Sequence, residues 1–418
     1  MKIGYVLLDG CGDRPNPTLN FTTPLESAYT PNLDTIARRS KLGRVISVRR
    51  GVAPESDIAV FNMLGYSFDK GYPGRGVVEA VGSGLEVKDG DLALRANLAS
   101  AKSRVIVDRR AGRDLTQEEA DRLGEELKRV KLTGAEFDFK ATVSYRGVLV
   151  IRAGRRLSAQ ITNTDPAYSK VGGFGAARAT TKRERILVCR SESKSVAAKE
   201  AARLVNEFTT KSLKILASSE VNRERQRQGK LPANCVLLRD AGDHLPQVPS
   251  FEEKYGMKGT ALVEMPAEVG IAKILQMKMV KVKDRRDMKE KASLFSSELR
   301  DGTVVYVHIK GPDEYGHDGD ASGQRRNIES IDRDFFSQVA DKVGDTRVGV
   351  SCDHATPCTI KMHSADPVPL MVTTESKGDS LRFTERNARR GSLGMMMGRD
   401  VMRKIIGAGV GSRTSQGT

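Results

Sequence analysis

The amino-acid sequence predicts an α/β fold: a sheet sandwiched by helices, interrupted by a smaller inserted domain of α/β or α+β type. Three observations carry this. Short β-branched apolar runs stop abruptly at polar residues, helical patterns lie between them, and the middle of the chain is built differently from its ends. Residues 3–8 (IGYVLL) stop at Asp9. Residues 31–39 (PNLDTIARR) read as a helix, with Thr30 as N-cap and Pro31 in the first turn. Residues 303–309 (TVVYVHI) lead into Lys310-Gly311-Pro312-Asp313. Residues 322–342 place Ile328, Ile331, Phe335 and Val339 on one helical face. Residues 347–352 (RVGVSC) stop at Asp353-His354, and residues 368–373 (VPLMVT) form a fourth run. Such runs suit strands buried on both faces, as in a parallel sheet covered by helices.

Residues 78–243 read differently. Short strands (104–107, 141–151, 185–189) mix with basic helices such as 194–214, and a glycine-rich stretch, VGGFGAAR, occupies 171–178. The simplest layout makes 78–243 an inserted domain and joins 1–77 with 244–418 as one discontinuous domain. From about Gly407 onward the chain reads as a frayed tail.

A chain of 418 residues suits two or three domains and buries a core without disulfides. No apolar run reaches the roughly 18–20 residues that span a bilayer. The first residues lack a cleavage-site pattern, so no signal peptide is expected. Five cysteines with no C-x-x-C argue against a disulfide framework or a thiolate zinc site, and point to a reducing cytoplasm. The net charge of +16 favours an anionic partner, either a small phosphorylated substrate or nucleic acid. A basic surface with no specific partner is the plain alternative. Aromatics at 5% and the absence of Trp leave little for base stacking, so no nucleic-acid partner is expected.

In an open α/β sheet, ligands bind beyond the carboxyl ends of the strands. Asp9, Asp313 and Asp353 all fall there. His317 follows Asp313 in DEYGH, His354 follows Asp353, and His363 comes shortly after in KMHSADP. Each pair alone is more often a salt bridge or a cap. Together, three Asp and three His without a thiolate form a mixed oxygen and nitrogen donor set. It suits Mn²⁺, Zn²⁺ or a related divalent ion rather than Ca²⁺, and six ligands leave room for two ions. Ser56, in PESDIAVFNMLGY, falls at the start of a predicted helix, where free N–H groups and the macrodipole favour an anion. An ordinary N-cap serine is the plain alternative; a metal on its oxygen would make it a nucleophile.

At these residues the chain resembles the archaeal-type 2,3-bisphosphoglycerate-independent phosphoglycerate mutases, a branch of the alkaline phosphatase superfamily. The segments that carry the resemblance span nearly the whole chain. They are LLDGCGDRP (8–15), TPLESAYTPNLDTIA (23–37), PESDIAVFNMLGY (54–66), YPGRGVVEAVGSG (72–84), RANLAS (95–100), DRRAGRD (108–114), GPDEYGHDGD (311–320), DHATPCTIKMHSADPVPLMV (353–372) and FTERNARRGSLG (383–394). The resemblance implies an alkaline-phosphatase-like sheet and two divalent ions, Mn²⁺ with Co²⁺ or Zn²⁺ also accepted, and no 2,3-bisphosphoglycerate. Asp9, Ser56, Asp353 and His354 would hold one ion, and Asp313, His317 and His363 the other. Ser56 would take the phosphoryl group of 3-phosphoglycerate and return it to the other hydroxyl, giving 2-phosphoglycerate. The insert would exclude water, whose attack would turn a mutase into a phosphatase.

Glycerate released from its phosphate needs cations to hold its carboxylate. The candidates are Arg95, Arg109, Arg110, Arg113, Arg239 and Lys258, with Asp108 or Asp165 as a proton shuttle between hydroxyls. The resemblance places the protein in the cytoplasm, in glycolysis or gluconeogenesis, and leaves a homo-oligomer open. Three features depart from the family pattern: Glu55 stands where relatives usually carry Gly, residues 281–293 are unusually basic, and Phe174 with its VGGFGAAR stretch is atypical. The close rival is a phosphohydrolase or another phosphomutase with the same site; a nucleic-acid-binding protein is the remote one. The complete set of seven site residues argues against an inert homologue.

Overall fold

The apolar run after Met1 forms strand β1 (Lys2–Leu8), buried from its second residue on. A computed structural model describes residues 1–68, 71–171, 174–177 and 184–407. The further strands are β2 (Ser40–Ile46), β3 (Leu92–Lys102), β4 (Val105–Asp108), β5 (Ala135–Ala141), β6 (Arg146–Ala153), β7 (Tyr168–Val171), β8 (Phe174–Ala177), β9 (Cys235–Gly242), β10 (Lys258–Val263), β11 (Lys278–Lys281), β12 (Thr303–Ile309), β13 (Thr346–Cys352), β14 (Val368–Thr373) and β15 (Gly394–Met397). The chain divides into two units. One holds Met1–Asp69, Val248–Glu264 and Ala272–Thr418, and the other Lys70–Gln247 and Met265–Ile271.

The first unit is built on an eight-stranded sheet in the order β11-β10-β12-β1-β13-β14-β2-β15. β1 lies in parallel between β12 and β13, with Leu8 opposite both Ile309 and Cys352. Helices cover both faces. Phe295, on the helix Met288–Glu298, packs onto Gly4 of β1; Ile405, on the helix Gly398–Ile406, packs onto Gly349 of β13, which points the other way. The four apolar runs are strands, as expected, but β14 is antiparallel to β13 and β2. Its link from β13 carries no crossover helix, so the chain turns straight back. The helix predicted at 322–342 is Ala321–Ile331, continued by a π-helical turn at Asp332–Phe336 and by Ser337–Ala340. The helix Pro31–Arg38 forms with Thr30 at its N-cap, though the Thr30 side chain makes no capping bond.

The second unit carries an antiparallel sheet in which β3 pairs with β4, β6 and β9, and β6 with β5. Alternate residues of β3 and β6 face opposite cores. Leu92, Leu94, Leu149 and Ile151 pack with Leu123, Leu204 and Phe208 of the helices Gln117–Leu127 and Val196–Ala217. Ala93, Val148 and Val150 pack with Val77 and Ala80 of the helix Arg75–Gly82. Two strand expectations need correcting. Residues 141–151 are not one strand but the end of β5, a tight turn closed by Thr142 N–H to Arg146 O, and β6. Residues 185–189 form only an isolated bridge between Arg185 and Val105. Of the VGGFGAAR stretch, residues 172, 173 and 178 lie outside the described residues, as does the expected tail from 408 on.

Met265–Ile271 belongs to the second unit, not with the rest of residues 244–418. The cause is a backbone-on-backbone helix contact. A Cβ on Gly82 would meet Pro266 O at 1.8 Å, and one on Gly270 would meet Val78 O at 2.0 Å. Rigid backbone cannot yield as a side-chain tip can. Gly270→Ala should therefore lower stability by about 1–3 kcal/mol, read as a lower urea midpoint, with Ala272→Gly as a helix control outside this contact.

Candidate functional site

The parallel register of β12, β1 and β13 levels their carboxyl ends. One step beyond Ile309, Leu8 and Cys352 come Lys310, Asp9 and Asp353, side by side. The helix Pro312–Asp318, entered through Pro312, then carries Asp313 and His317 one turn apart. The link after β13 brings His354, Thr356 and His363 over the same end. Three groups of side chains with donor atoms within 4.8 Å of one another result: Asp313, His317 and His363; Asp9, Asp313 and His354; Asp9, His308 and Asp353. Six of the predicted ligands are thus gathered in one place.

Hydrogen bonds fix how the histidines present themselves. Thr356 Oγ1 donates to Asp313 Oδ1 at 2.6 Å, so it can only accept from His354 Nδ1 at 3.1 Å. His317 Nδ1 lies 3.1 Å from Lys361 O, and His363 Nδ1 2.8 Å from Pro54 O. A carbonyl only accepts, so each Nδ1 holds a proton, and Nε2 is the ring atom each turns toward the cluster. The Nε2 atoms face carboxylates without bonding closely: His317 and His363 stand 3.5 Å from Asp313, and His354 stands 3.3 Å from Asp353 and 3.6 Å from Asp9. Asp353 Oδ1 accepts from Gly10 N and His354 N. Its Oδ2, and Asp9 Oδ1, are buried with no hydrogen bond among the described residues. Buried carboxylate oxygens and imidazole nitrogens converging in this way fit divalent cations.

The charges are strongly coupled. Burial raises Asp9 to about 7 despite the attraction of Lys310. Burial works the same way on Asp353, but His354 and His308 outweigh it and hold that carboxyl far below its usual range. Burial drives His354 down to about 4, leaving its ring neutral. At His363 burial is outweighed by Asp313, which lifts it to about 10. A cation bound there competes with that proton.

Ser56 opens the helix Ser56–Met63, with Glu55 rather than Ser56 at the N-cap. Its Oγ lies 3.2 Å from His354 Nε2, which ties the predicted nucleophile to the cluster. Glu55 makes no side-chain capping bond, and its charge raises both His354 and His363.

Two members of the cluster escape a reading of strand ends. His308 is buried inside β12, with Nε2 3.3 Å from Asp353 and 3.7 Å from Asp9. Lys310 Nζ lies 3.1 Å from Asp9 Oδ2 and 3.0 Å from His308 Nδ1. The one available signal was a histidine two residues before a lysine at the carboxyl end of a doubly buried strand. Lys258 does not join them. It opens β10 opposite Thr303, at the amino ends of the strands, roughly 20 Å of β12 away.

In the second unit the predicted arginines divide by what they pair with. Arg95 is turned inward, 3.0 Å from Glu79 and 3.2 Å from Asp240, so its guanidinium holds the fold together. Arg109 grips Asp165 with two N–H groups, Arg239 lies 3.4 Å from the same carboxylate, and both stack on Tyr168. Asp165 is fully buried by these contacts. Asp108 caps its own loop, accepting from Arg110 N and Gly112 N. Arg110 and Arg113 make no ion pair among the described residues, and Arg113 is exposed.

Burial would raise Glu79, but Arg95 and Arg75 overcome it and bring the carboxyl down to about 2. A depressed carboxyl adds stability above its unfolded value and loses it as the pH falls toward the folded one. Glu79→Gln should therefore cost about 3 kcal/mol at pH 7. Urea titrations should show that deficit shrinking between about pH 4.5 and 2.

The family model described as 2,3-bisphosphoglycerate-independent phosphoglycerate mutase matches residues 37–222. A protein of that name from Aeropyrum pernix is 41% identical, over 95% of this chain and 97% of its own. Another from Methanopyrus kandleri is 38% identical, over 95% and 94%. Among solved structures, a Pyrococcus horikoshii protein superposes with a TM-score of 0.75 at 27% identity, covering 97% of each chain. The cofactor-independent phosphoglycerate mutase of Thermoplasma acidophilum gives 0.61 at 30% identity, covering 97% of this chain and 99% of its own. With fold, length and sequence in agreement from end to end, this chain belongs to the 2,3-bisphosphoglycerate-independent phosphoglycerate mutase family, a family of isomerases.

Proposed function

We propose that the chain interconverts 3-phosphoglycerate and 2-phosphoglycerate through a phosphoserine on Ser56, without 2,3-bisphosphoglycerate. The observation that carries this is the 3.2 Å approach of Ser56 Oγ to His354 Nε2, inside a cluster of carboxylates and histidines at one strand edge. Asp9, Ser56, Asp353 and His354 would hold one divalent ion, and Asp313, His317 and His363 a second. Mn²⁺, Co²⁺ and Zn²⁺ all accept these donors. Bound there, the ions would neutralise phosphate charge and favour the ionised serine oxygen.

The chain's own groups do the rest. Ser56 Oγ forms a bond to phosphorus as the bond to the glycerate oxygen breaks. The alternative glycerate hydroxyl then attacks the phosphoserine, and the Ser56 oxygen leaves. N–H groups at the start of the helix Ser56–Met63 face the phosphate borne on its first residue. Arg110 and Arg113, without an ion pair among the described residues, are the cations most available to hold the glycerate carboxylate; Arg95, Arg109 and Arg239 are already paired with Glu79, Asp240 and Asp165, and Lys258 lies at the amino ends of the strands. Asp108 or Asp165 would carry the proton between the two hydroxyls. All five cysteines are free and buried, which suits a reducing cytoplasm; the proposed reaction would place the chain in glycolysis or gluconeogenesis. Among the described residues, no helix is long and apolar enough to cross a membrane.

Incubation with 3-phosphoglycerate and Mn²⁺, coupled to enolase, should yield 2-phosphoglycerate with little free phosphate. Chelation should abolish turnover and Mn²⁺ should restore it. Ser56→Ala should reduce turnover by at least about 10³-fold. Phosphate release without 2-phosphoglycerate would favour a phosphohydrolase, and full activity in Ser56→Ala would remove the nucleophile.

A further inference from the structure

The loop after β4 holds an unusual backbone. Ala111 (φ 45°), Gly112 (φ 81°) and Arg113 (φ 62°) are three consecutive left-handed residues, and only the middle one is glycine. Each non-glycine residue held there stores strain, and such strain persists only where surrounding contacts over-determine it. Two sets of contacts do so. From within, Asp108 Oδ1 accepts from Arg110 N at 2.6 Å and Gly112 N at 3.2 Å, while Arg113 N donates to Arg110 O at 2.9 Å.

From outside, the contact is Arg225, on the helix Glu220–Arg227 and fully buried. Its guanidinium donates to Ala111 O at 3.1 Å and Asp114 Oδ1 at 2.6 Å through one nitrogen. It reaches Glu119 Oε2 at 2.8 Å through the second and Leu231 O at 2.9 Å through the third. Every arm of this side chain is engaged, and two of the four bonds grip the strained loop itself. Glu119 completes the capping box of the next helix with Thr116, so Arg225 also fixes the loop's exit. The same loop carries Arg110 and Arg113, the two candidate arginines that make no ion pair among the described residues. A stretch that keeps two uncommitted cations on a strained backbone is built to meet an anion rather than to fill a core.

We infer that Arg225 is a positioning residue for anion binding: it holds the left-handed run Ala111–Arg113 in place, so that Arg110 and Arg113 meet the substrate carboxylate from a fixed backbone. This rests on the reading of that loop as substrate-binding. An arginine suits the role because its planar fork reaches four acceptors in set directions, which a lysine cannot do.

Arg225→Lys and the milder Asp114→Asn, at a half-exposed position, test it together in the full-length Mn²⁺-loaded protein. Both should raise the KM for 3-phosphoglycerate about tenfold while kcat stays within about twofold, since the reacting groups are untouched. Without substrate, the amides of Arg110, Gly112 and Arg113 should exchange hydrogen faster in both variants. Adding Ala111→Gly, which relieves the left-handed strain, should restore part of the protection and of the KM. A lower Tm with unchanged KM and loop exchange would reduce Arg225 to a structural ion pair and overturn the inference. If Arg225→Lys does not fold, Asp114→Asn decides alone. If the wild type forms no 2-phosphoglycerate, the mutase reading fails, while exchange in the loop still decides whether Arg225 holds it.

Discussion

The parallel register of three strands governs the candidate site. Because Leu8 stands opposite both Ile309 and Cys352, the next residues along the three strands form one row: Lys310, Asp9 and Asp353. Two buried carboxylates side by side repel each other and lose their hydration, an arrangement a folded chain tolerates only with compensating charge. Lys310 supplies part of it at Asp9 Oδ2, and backbone N–H groups serve Asp353 Oδ1. The remaining oxygens make no hydrogen bond among the described residues, facing the ring nitrogens of His354 and His308, and a divalent ion is the partner whose chemistry completes them.

Orientation of the rings matters as much as proximity. Thr356, Lys361 O and Pro54 O each take the Nδ1 proton of one histidine, which commits all three Nε2 atoms to the same volume. His308 is turned the other way, with Nδ1 toward the Lys310 ammonium. An ammonium only donates, so the ring proton sits on Nε2, facing Asp353. The four histidines therefore divide into three that hold a proton on Nδ1 and turn Nε2 to the cluster, and one that holds its proton on Nε2, a difference set by their neighbours.

In the second unit, the partners of the arginines sort them by task. Arg95 and Arg225, both buried, are enclosed by carboxylates and carbonyls and hold strands and loops in register. Arg109 and Arg239 share one buried carboxylate and one aromatic ring, an arrangement that keeps two like charges close. Arg110 and Arg113 have no such partner among the described residues, and they sit in or beside the left-handed run Ala111–Arg113. Desolvated guanidinium groups need matched acceptors, whereas uncommitted ones remain available to a ligand.

The sequence by itself determined the strand ends and what they carry. A doubly buried strand must be apolar until it leaves the sheet, so the first polar residue after each run marks the edge where ligands bind, and Asp9, Asp313, Asp353 and their histidines were legible for that reason. It also marked Ser56 as the start of a helix. Only the tertiary structure decided which way side chains turn and which strand edges coincide. His308 lies within an apolar run and looks like core until two carboxylates close on it from neighbouring strands. Lys258 is a free cation in sequence, yet parallel pairing with β12 sends it to the far edge of the sheet. Arg95 and Arg109 carry the same group; contacts with Asp240 and Asp165, each far along the chain, turn one wholly inward and leave the other partly exposed. Local sequence encodes backbone preference and polarity, but the partner of a charge is chosen by long-range packing.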